Sequence, residues 1–447
     1  MLCIYSLDET VLAFHNLTQL QSLTIKNCPP LAEKHLQMLT SLKTLDIDGS
    51  SITFQQVGEA VLWQLPVNRL EINGRWSGSW KEVTRLLTHL PELSHLSICG
   101  RGCEKVLTGL GLDVQQQTAA SSAAKLQQQD TYRTTDPQQE IAQEVVVVDE
   151  EEREDDDDGL LLLPPAHLSY SLQELGIEDC PELVLRSHGT GLQFMGSLNT
   201  MNFLSALDLC PFPSTLQSLS LGGGMEGMET LAPLSNLTSL ETLSIRDLGD
   251  AFRCDGLLPL LTQGQLTALS VSDSPKFFAG IQGPAPAQAV SKLQELVTDD
   301  IATVLTAPIC RLLSSSLTKL SFHDKEVDRF SKEQEEALSL LTSLQGLKFG
   351  WCTKLRCLPA MKSLHKLTNL KRLEIWYCPA MRSLPKNGLP TSLQELEVFR
   401  CTNLRCLPEG LHKLTNLRIL VLSSHEVAAK EWPSHLAARV RCPRLQK

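Results

Sequence analysis

The stretch Leu344-Gln-Gly-Leu347-Lys-Phe349-Gly-Trp-Cys352-Thr-Lys-Leu355-Arg-Cys-Leu358-Pro359 decides how the remainder of the chain is read. It returns as Leu370-Lys-Arg-Leu373-Glu-Ile375-Trp-Tyr-Cys378-Pro-Ala-Met381-Arg-Ser-Leu384-Pro385. It returns again as Leu393-Gln-Glu-Leu396-Glu-Val398-Phe-Arg-Cys401-Thr-Asn-Leu404-Arg-Cys-Leu407-Pro408. A further copy opens at Leu417-Arg-Ile-Leu420-Val-Leu422 and then stops. Apolar anchors, a cysteine and a proline keep register through every full copy, which chance does not produce.

Each copy has the chemistry of one coil of a solenoid. In Leu373-Glu374-Ile375 the alternation of a short strand turns Leu373 and Ile375 inward and Glu374 outward. Leu370, Met381 and Leu384 close the interior of the same coil. No coil buries that face alone, so coils stack, strand beside parallel strand. The pattern is that of the leucine-rich repeat, with one extra residue before the next apolar anchor. The predicted fold class is α/β: a horseshoe solenoid with a parallel β-sheet on the concave face and short helices or irregular turns on the convex face. Cys28, Cys180, Cys352, Cys378 and Cys401 fall at the ninth repeat position, where a small polar side chain satisfies backbone groups as the chain leaves the strand. Thiols spaced one per coil form neither a ligand cluster nor a Cys-x-x-Cys pair, so they read as structural.

Strand anchors recur at Leu23, Leu45, Leu70, Leu96, Leu175, Leu219, Leu243, Leu269, Leu296, Leu320, Leu347, Leu373, Leu396 and Leu420, mostly 22 to 27 residues apart. The intervals from Leu96 to Leu175 and from Leu175 to Leu219 are longer. The second reads either as one long coil or as two, with a degenerate strand at Leu204-Ser-Ala-Leu207-Asp-Leu209. The expected organisation is N-terminal repeats over 1–112, an insertion over 113–167, C-terminal repeats over 168–425 and a cap over 426–447, short and partly helical. Gln115–Gln117, Gln127–Gln129 and an acidic run cannot pack a core, so the insertion is predicted to be disordered, dispensable for folding, and looped from the scaffold edge. Leu2-Cys-Ile4 precedes Leu23-Thr-Ile25 by one repeat, so Met1 falls at a strand with no cap before it. That predicts a missing N-terminal neighbour and fraying of the first coils. Thr53-Phe-Gln-Gln56, Ser79-Trp-Lys-Glu82 and Ser331-Lys-Glu-Gln334 read as capping boxes for helices over Val57–Leu65, Val83–Leu90 and Ala337–Leu344. The Leu-Pro turns of the last coils predict little helix there.

The chain has 447 residues, 42% hydrophobic, enough for a large core. Its net charge is −11, and residues 149–158 alone carry nine acids and one arginine. Nothing in this balance is a nucleic-acid footprint. The N-terminal sequence lacks the pattern of a signal peptide, and no stretch is long and apolar enough to span a membrane. The 14 cysteines, mostly scattered or at the ninth repeat position, read as reduced thiols of a cytoplasmic or nuclear protein. No phosphate-binding loop occurs: Gly222-Gly-Gly224 lacks the lysine and the strand-to-helix setting. His95, Cys99 and Cys103 lack a fourth ligand, so no metal is assigned. Glu374 and Glu397 are outward neighbours with no pocket to raise a pKa. The reading is of a non-enzymatic chain, without cofactor or metal, that works by surface recognition.

Outward positions of the early coils are small or polar, as in Ser22, Thr24 and Lys26, and those of the middle coils are blander still, as in Ser218, Ser220 and Gly222. The late coils instead present Lys348, Trp351, Arg372, Glu374, Trp376, Tyr377, Glu397, Phe399 and Arg400. Aromatics beside arginine are typical of interface hot spots, so these nine are the candidate protein-binding residues.

The Cys-x-x-Leu-x-x-Leu-Pro repeats, irregular spacing and tryptophan-bearing final coils resemble the leucine-rich-repeat region of plant intracellular nucleotide-binding disease-resistance proteins. The resemblance covers nearly the whole chain outside 113–167 and is strongest at 344–422. It implies defense recognition of a pathogen effector or guarded host protein, and autoinhibition of a nucleotide-binding switch domain. The chain departs from that family in having no ATPase motif, so nucleotide binding does not carry over. The alternatives are a stand-alone repeat scaffold, such as a ubiquitin-ligase substrate-binding subunit, and a secreted receptor ectodomain, which the absent signal peptide disfavours.

Overall fold

Period-two alternation gives a strand one buried face, and each coil of this chain supplies one such strand. The computed structural model of the protein describes residues 2–5, 14–54, 63–74, 80–100, 161–162, 167–179, 184–185, 212–223, 230–235, 237–247, 254–263, 265–274, 277–281, 291–385, 389–404, 411–423 and 440–441. The first strands are β1 (Leu2–Tyr5), β2 (Ser22–Lys26), β3 (Leu31–Ala32), β4 (Thr44–Asp48), β5 (Ile52–Thr53), β6 (Arg69–Asn73) and β7 (His95–Cys99). There follow β8 (Leu161–Leu162), β9 (Glu174–Glu178), β10 (Val184–Leu185), β11 (Ser218–Gly222), β12 (Thr242–Arg246), β13 (Ala268–Ser272) and β14 (Glu295–Thr298). The last are β15 (Lys319–Phe322), β16 (Gly346–Gly350), β17 (Arg372–Trp376), β18 (Glu395–Phe399), β19 (Ile419–Ser423) and β20 (Val440–Arg441). Sixteen of them form one sheet, running β1, β2, β4, β6, β7, β9 and then β11 through β20 in order. Its pairings are parallel, as in Leu347↔Leu373↔Leu396↔Leu420. The pairs β3–β5 and β8–β10 lie outside it.

Inward anchors such as Leu23, Ile25, Leu373 and Ile375 are buried and join one continuous core. Burial of each is worth about 2 kcal/mol relative to exposure. Side chains tie coil to coil as well. Asn369 Nδ2 donates to the Thr342 carbonyl at 2.9 Å, and Asn416 Nδ2 to the Thr391 carbonyl at 3.0 Å. The ninth-position thiols do what the spacing implied: Cys352, Cys378 and Cys401 donate to the carbonyls of Phe322, Phe349 and Ile375 on the preceding strand. Cys28 does the same toward Ile4, while Cys180 lies outside the described residues. The hydrogen bond to Cys352, together with burial, pushes the Cys378 thiol up to about 12. That sulfur is a poor nucleophile at neutral pH.

The two long anchor intervals are each one step of the sheet. β7 pairs directly with β9, Leu96 opposite Leu175, and β9 pairs with β11, Leu175 opposite Leu219. Among the described residues no further strand of the large sheet stands between these pairs, so the sheet takes the interval from 175 to 219 as one step; residues 201–209 lie outside the described residues. Within 113–167, most of the segment expected to be disordered also lies outside them, but Leu161–Leu162 form β8 against Val184–Leu185. The disordered reading therefore overshoots at its C-terminal end, where the run Leu160–Leu163 is apolar enough to pair. In 426–447, Val440–Arg441 adds β20 alongside β19, a strand not anticipated in the cap. At the other edge β1 pairs with β2, Leu2 opposite Leu23.

Among the expected helices, Lys332–Leu338 carries a full capping box. Gln334 N donates to Ser331 Oγ at 3.2 Å and Ser331 N to Gln334 Oε1 at 2.8 Å. Trp80–Thr88 fits the second, with Ser79 outside the described residues. The first, expected over Val57–Leu65, is corrected at its end: residues 63–65 are irregular, because Pro66 disfavours helical backbone at Leu65; residues 55–62 are not described. The late coils carry only Met361–Leu364 and a short turn of helix at Leu411–Lys413 among the described residues.

One buried and one half-buried histidine make stability pH-dependent. His89 stacks on Trp63 at 4.0 Å with Nδ1 2.9 Å from the Trp63 carbonyl, and burial holds it below its ordinary value of 6.5. Burial, and then Lys348, lower His323 likewise. The unfolded chain binds these protons more readily, so their contribution is complete above about pH 6.5 and is lost as pH falls toward the folded values. Melting temperature is expected to be lower at pH 5.5 than at pH 7.5. The difference should shrink in His89→Gln. An unchanged difference would assign the effect elsewhere.

Candidate functional site

The outward positions of β16, β17 and β18 form a small grid. Lys348 lies beside Glu374, Glu374 beside Glu397, and Trp376 beside Phe399. The Trp376 and Phe399 rings are tilted neighbours at 6.2 Å, and Lys348 Nζ sits 4.2 Å from the Trp376 ring centre. Arg372 bonds Glu374 at 3.4 Å and also pairs with Glu395. One arginine therefore ties two strands and offsets part of the repulsion among three carboxylates. Glu397 nonetheless has its pKa raised, first by burial and then by Glu374. For Glu397 this corrects the expectation of no environment able to shift it: the neighbouring side chains cover it more than an open sheet would. The Trp376 indole nitrogen is shielded and has no acceptor among the described residues. Such a donor is costly, by about 1–3 kcal/mol.

Trp351, Tyr377 and Arg400 are not on the strands. Each follows the last strand residue and adopts left-handed backbone, with φ of 60°, 53° and 52°. The same step past other strands is taken by Asn27, Gly49, Gly74, Asp179, Gly223, Asp247 and Asp273, residue types that tolerate it. A bulky side chain there costs roughly 1 kcal/mol or more. The last coils accept that cost three times and gain a stacked row along the rim. Trp351 lies flat on Tyr377, with centroids 4.0 Å apart and planes 3° apart, and Arg400 sits 5.2 Å beyond the Tyr377 ring. Tyr377 also meets Phe399 edge-on at 5.5 Å, which joins the rim row to the sheet face. All nine sequence candidates thus come together, six on the face and three on the rim. Sequence reasoning missed the rim. Its signal was the Asn, Asp or Gly at that step in other coils.

One strand per coil, in continuous parallel register, with a thiol or hydroxyl closing the turn, is decisive for the architecture. The fold is a leucine-rich-repeat solenoid. No protein-family profile matches the chain, and no curated protein matches it. Among solved structures it is similar to a leucine-rich-repeat protein, LIC12759, of Leptospira interrogans, at 16% identity and TM-score 0.39, over 95% of this chain and 89% of that one. It is similar to the internalin inlF of Listeria monocytogenes at 14% identity and TM-score 0.36, over 94% and 90%. The functional domain of InlJ from Listeria monocytogenes, which includes a cysteine ladder, aligns at 15% identity and TM-score 0.34, over 92% and 69%. What this solenoid does rests on its own side chains.

A second feature of the concave face is a shallow hollow of about 180 Å³ over β6, β7, β9 and β11, where Ser97, Gly176 and Ser220 leave room between Arg69, Glu71, His95 and Glu174. Ser94 Oγ lies 2.7 Å from His95 Nδ1, and His95 Nε2 lies 3.1 Å from Glu174. The same hydroxyl donates to the Asn68 carbonyl at 3.1 Å, so it serves the strand ladder as well as the imidazole. Among the described residues no group of His, Cys, Asp and Glu could hold a metal ion, and no helix is long and apolar enough to cross a membrane.

Proposed function

We propose that this chain is a protein-recognition scaffold and that the concave face of its last coils is the contact surface. The observation that carries the reading is the gathering of Trp351, Trp376, Tyr377 and Phe399, with Lys348 and Arg400 on their rings, at one end of a sheet whose middle coils present serine and glycine. Aromatic and arginine side chains dominate binding energies at protein interfaces, and this chemistry needs no cofactor. More finely, we propose the recognition and autoinhibition region of an intracellular plant immune receptor. Its partner would be a pathogen effector, a guarded host protein or a nucleotide-binding switch domain. The repeat motifs of residues 344–422 support that finer reading.

The test is Trp376→Ala combined with Phe399→Ala, titrated against a partner recovered with the intact chain. Both rings are half-buried, so melting temperature should fall only slightly. Affinity should fall at least about thirtyfold, about 2 kcal/mol. Unchanged affinity with unchanged melting would move the contact surface to another part of the sheet.

A further inference from the structure

Below the rim row, the chain descends from each strand through a segment that is basic in the last coils. Residues 351–359, 377–385 and 400–404 contain Lys354, Arg356, Arg382 and Arg400 and no Asp or Glu. Arg356 and Arg382 occupy the same repeat position, and the coils stack directly there: Arg382 N donates to the Arg356 carbonyl at 3.3 Å. All four cations are exposed. Lys354 is engaged by Glu326 at 2.5 Å, whereas Arg356, Arg382 and Arg400 form no ion pair among the described residues. Trp351, which opens the first of these segments, is 52% exposed at the head of its stack with Tyr377. Arg400 thus sits on the aromatic rim itself, and Arg356 and Arg382 follow as exposed cations in the segments that descend from it, so rings and guanidinium groups recur across three successive coils.

From this arrangement we infer that the rim of the last coils binds an acidic peptide segment of a partner protein. The segment lies across the coils with its carboxylates on Arg356, Arg382 and Arg400 and an apolar side chain against Trp351 and Tyr377. The proposal rests on the last coils being the docking surface and adds which chemistry they select. Guanidinium groups meet carboxylates in two-pronged hydrogen bonds, and the planar rings give the neighbouring apolar residue a flat seat. A nucleic acid would find the same rings and arginines. However, its continuous phosphate backbone would run near Glu374 and Glu397, which lie about 10 Å back along the strands from Tyr377 and Arg400, on a chain of net charge −11. A peptide can confine its charges to the rim. The left-handed backbone at Trp351, Tyr377 and Arg400 holds the ridge in place before binding, so little ordering is left for the encounter.

The experiment uses the full-length chain and labelled peptides of about fifteen residues: one alternating Asp/Glu with Leu and Phe, its Lys/Arg mirror, and a Ser/Gln analogue, with an oligothymidylate as the nucleic-acid probe. The acidic peptide should bind at least about tenfold tighter than each of the others, and should weaken between about 50 and 300 mM salt. Arg356→Glu, Arg382→Glu and Arg400→Glu together should abolish that preference with melting unchanged, and the triple Gln variant should lie between. Equal binding of the mirror peptide, tighter binding of the oligonucleotide, or an unaltered preference in the charge-reversed variant would overturn the proposal. Loss of binding in the Trp376/Phe399 double variant alongside no effect of charge reversal would leave the docking surface standing and discard the acidic partner.

Discussion

Replacing Phe349 with alanine lowers the stability of the last coils by about 3–5 kcal/mol. The ring is fully buried, stacks on Phe322 at 5.7 Å and meets Phe330 edge-on at 5.9 Å. Its removal forfeits the burial, the ring contacts and the packing of two neighbouring coils. Nearest-neighbour coupling in a solenoid keeps the damage local. Amide exchange should therefore accelerate across β15, β16 and β17 while β2, β4 and β6 keep their protection. Urea unfolding followed by exchange measures both. A loss below about 1 kcal/mol would show that Phe322 and Phe330 collapse into the space, with no lasting cavity.

Gly256→Ala is the other large effect, and it arises from backbone rather than core. Gly256 has φ of 93°, and a Cβ there would lie 2.6 Å from backbone atoms of Leu231 and Ala232. Neither chain can yield without shifting the coil before the helix Leu257–Gln263. The strained φ costs about 1 kcal/mol, and the clash adds more, for a total of at least about 2–3 kcal/mol. Gly346→Ala is the control, since its added carbon would meet only the Lys319 side chain at 3.8 Å. Comparable losses in the two variants would mean that the coil at 231–256 adapts freely.

The inward anchors were legible because their periodicity is the cause of the strands: Leu347, Leu373, Leu396 and Leu420 are Cα partners in the sheet at the positions the spacing assigns. Gly256 was not, because a glycine's φ leaves no trace in an apolar pattern. The interval from Leu175 to Leu219 stayed ambiguous in sequence for the same reason that long coils are tolerated. Only the strand pairing distinguishes one coil from two. The nine candidate residues were found by scanning outward positions for aromatics, which places Trp376 and Phe399 correctly but treats Trp351, Tyr377 and Arg400 as more of the same strand. Their separate role on the rim depends on a left-handed turn that follows each strand. The coverage of Glu397 depends on side-chain directions set across strands, which no single repeat contains.

The direct pairing of β7 with β9 gives the sheet an ordinary step where the chain takes a long detour. Gln173 and Glu174 donate to the Ser94 carbonyl at 2.8 and 2.9 Å, the same two-pronged step that joins coils only one repeat apart. Closure entropy grows so slowly with length that each doubling of the intervening chain costs only about 0.6 kcal/mol. The seam is therefore a splice: the sheet takes an ordinary step across a connection several times the usual length, and both flanking halves keep their alignment through it.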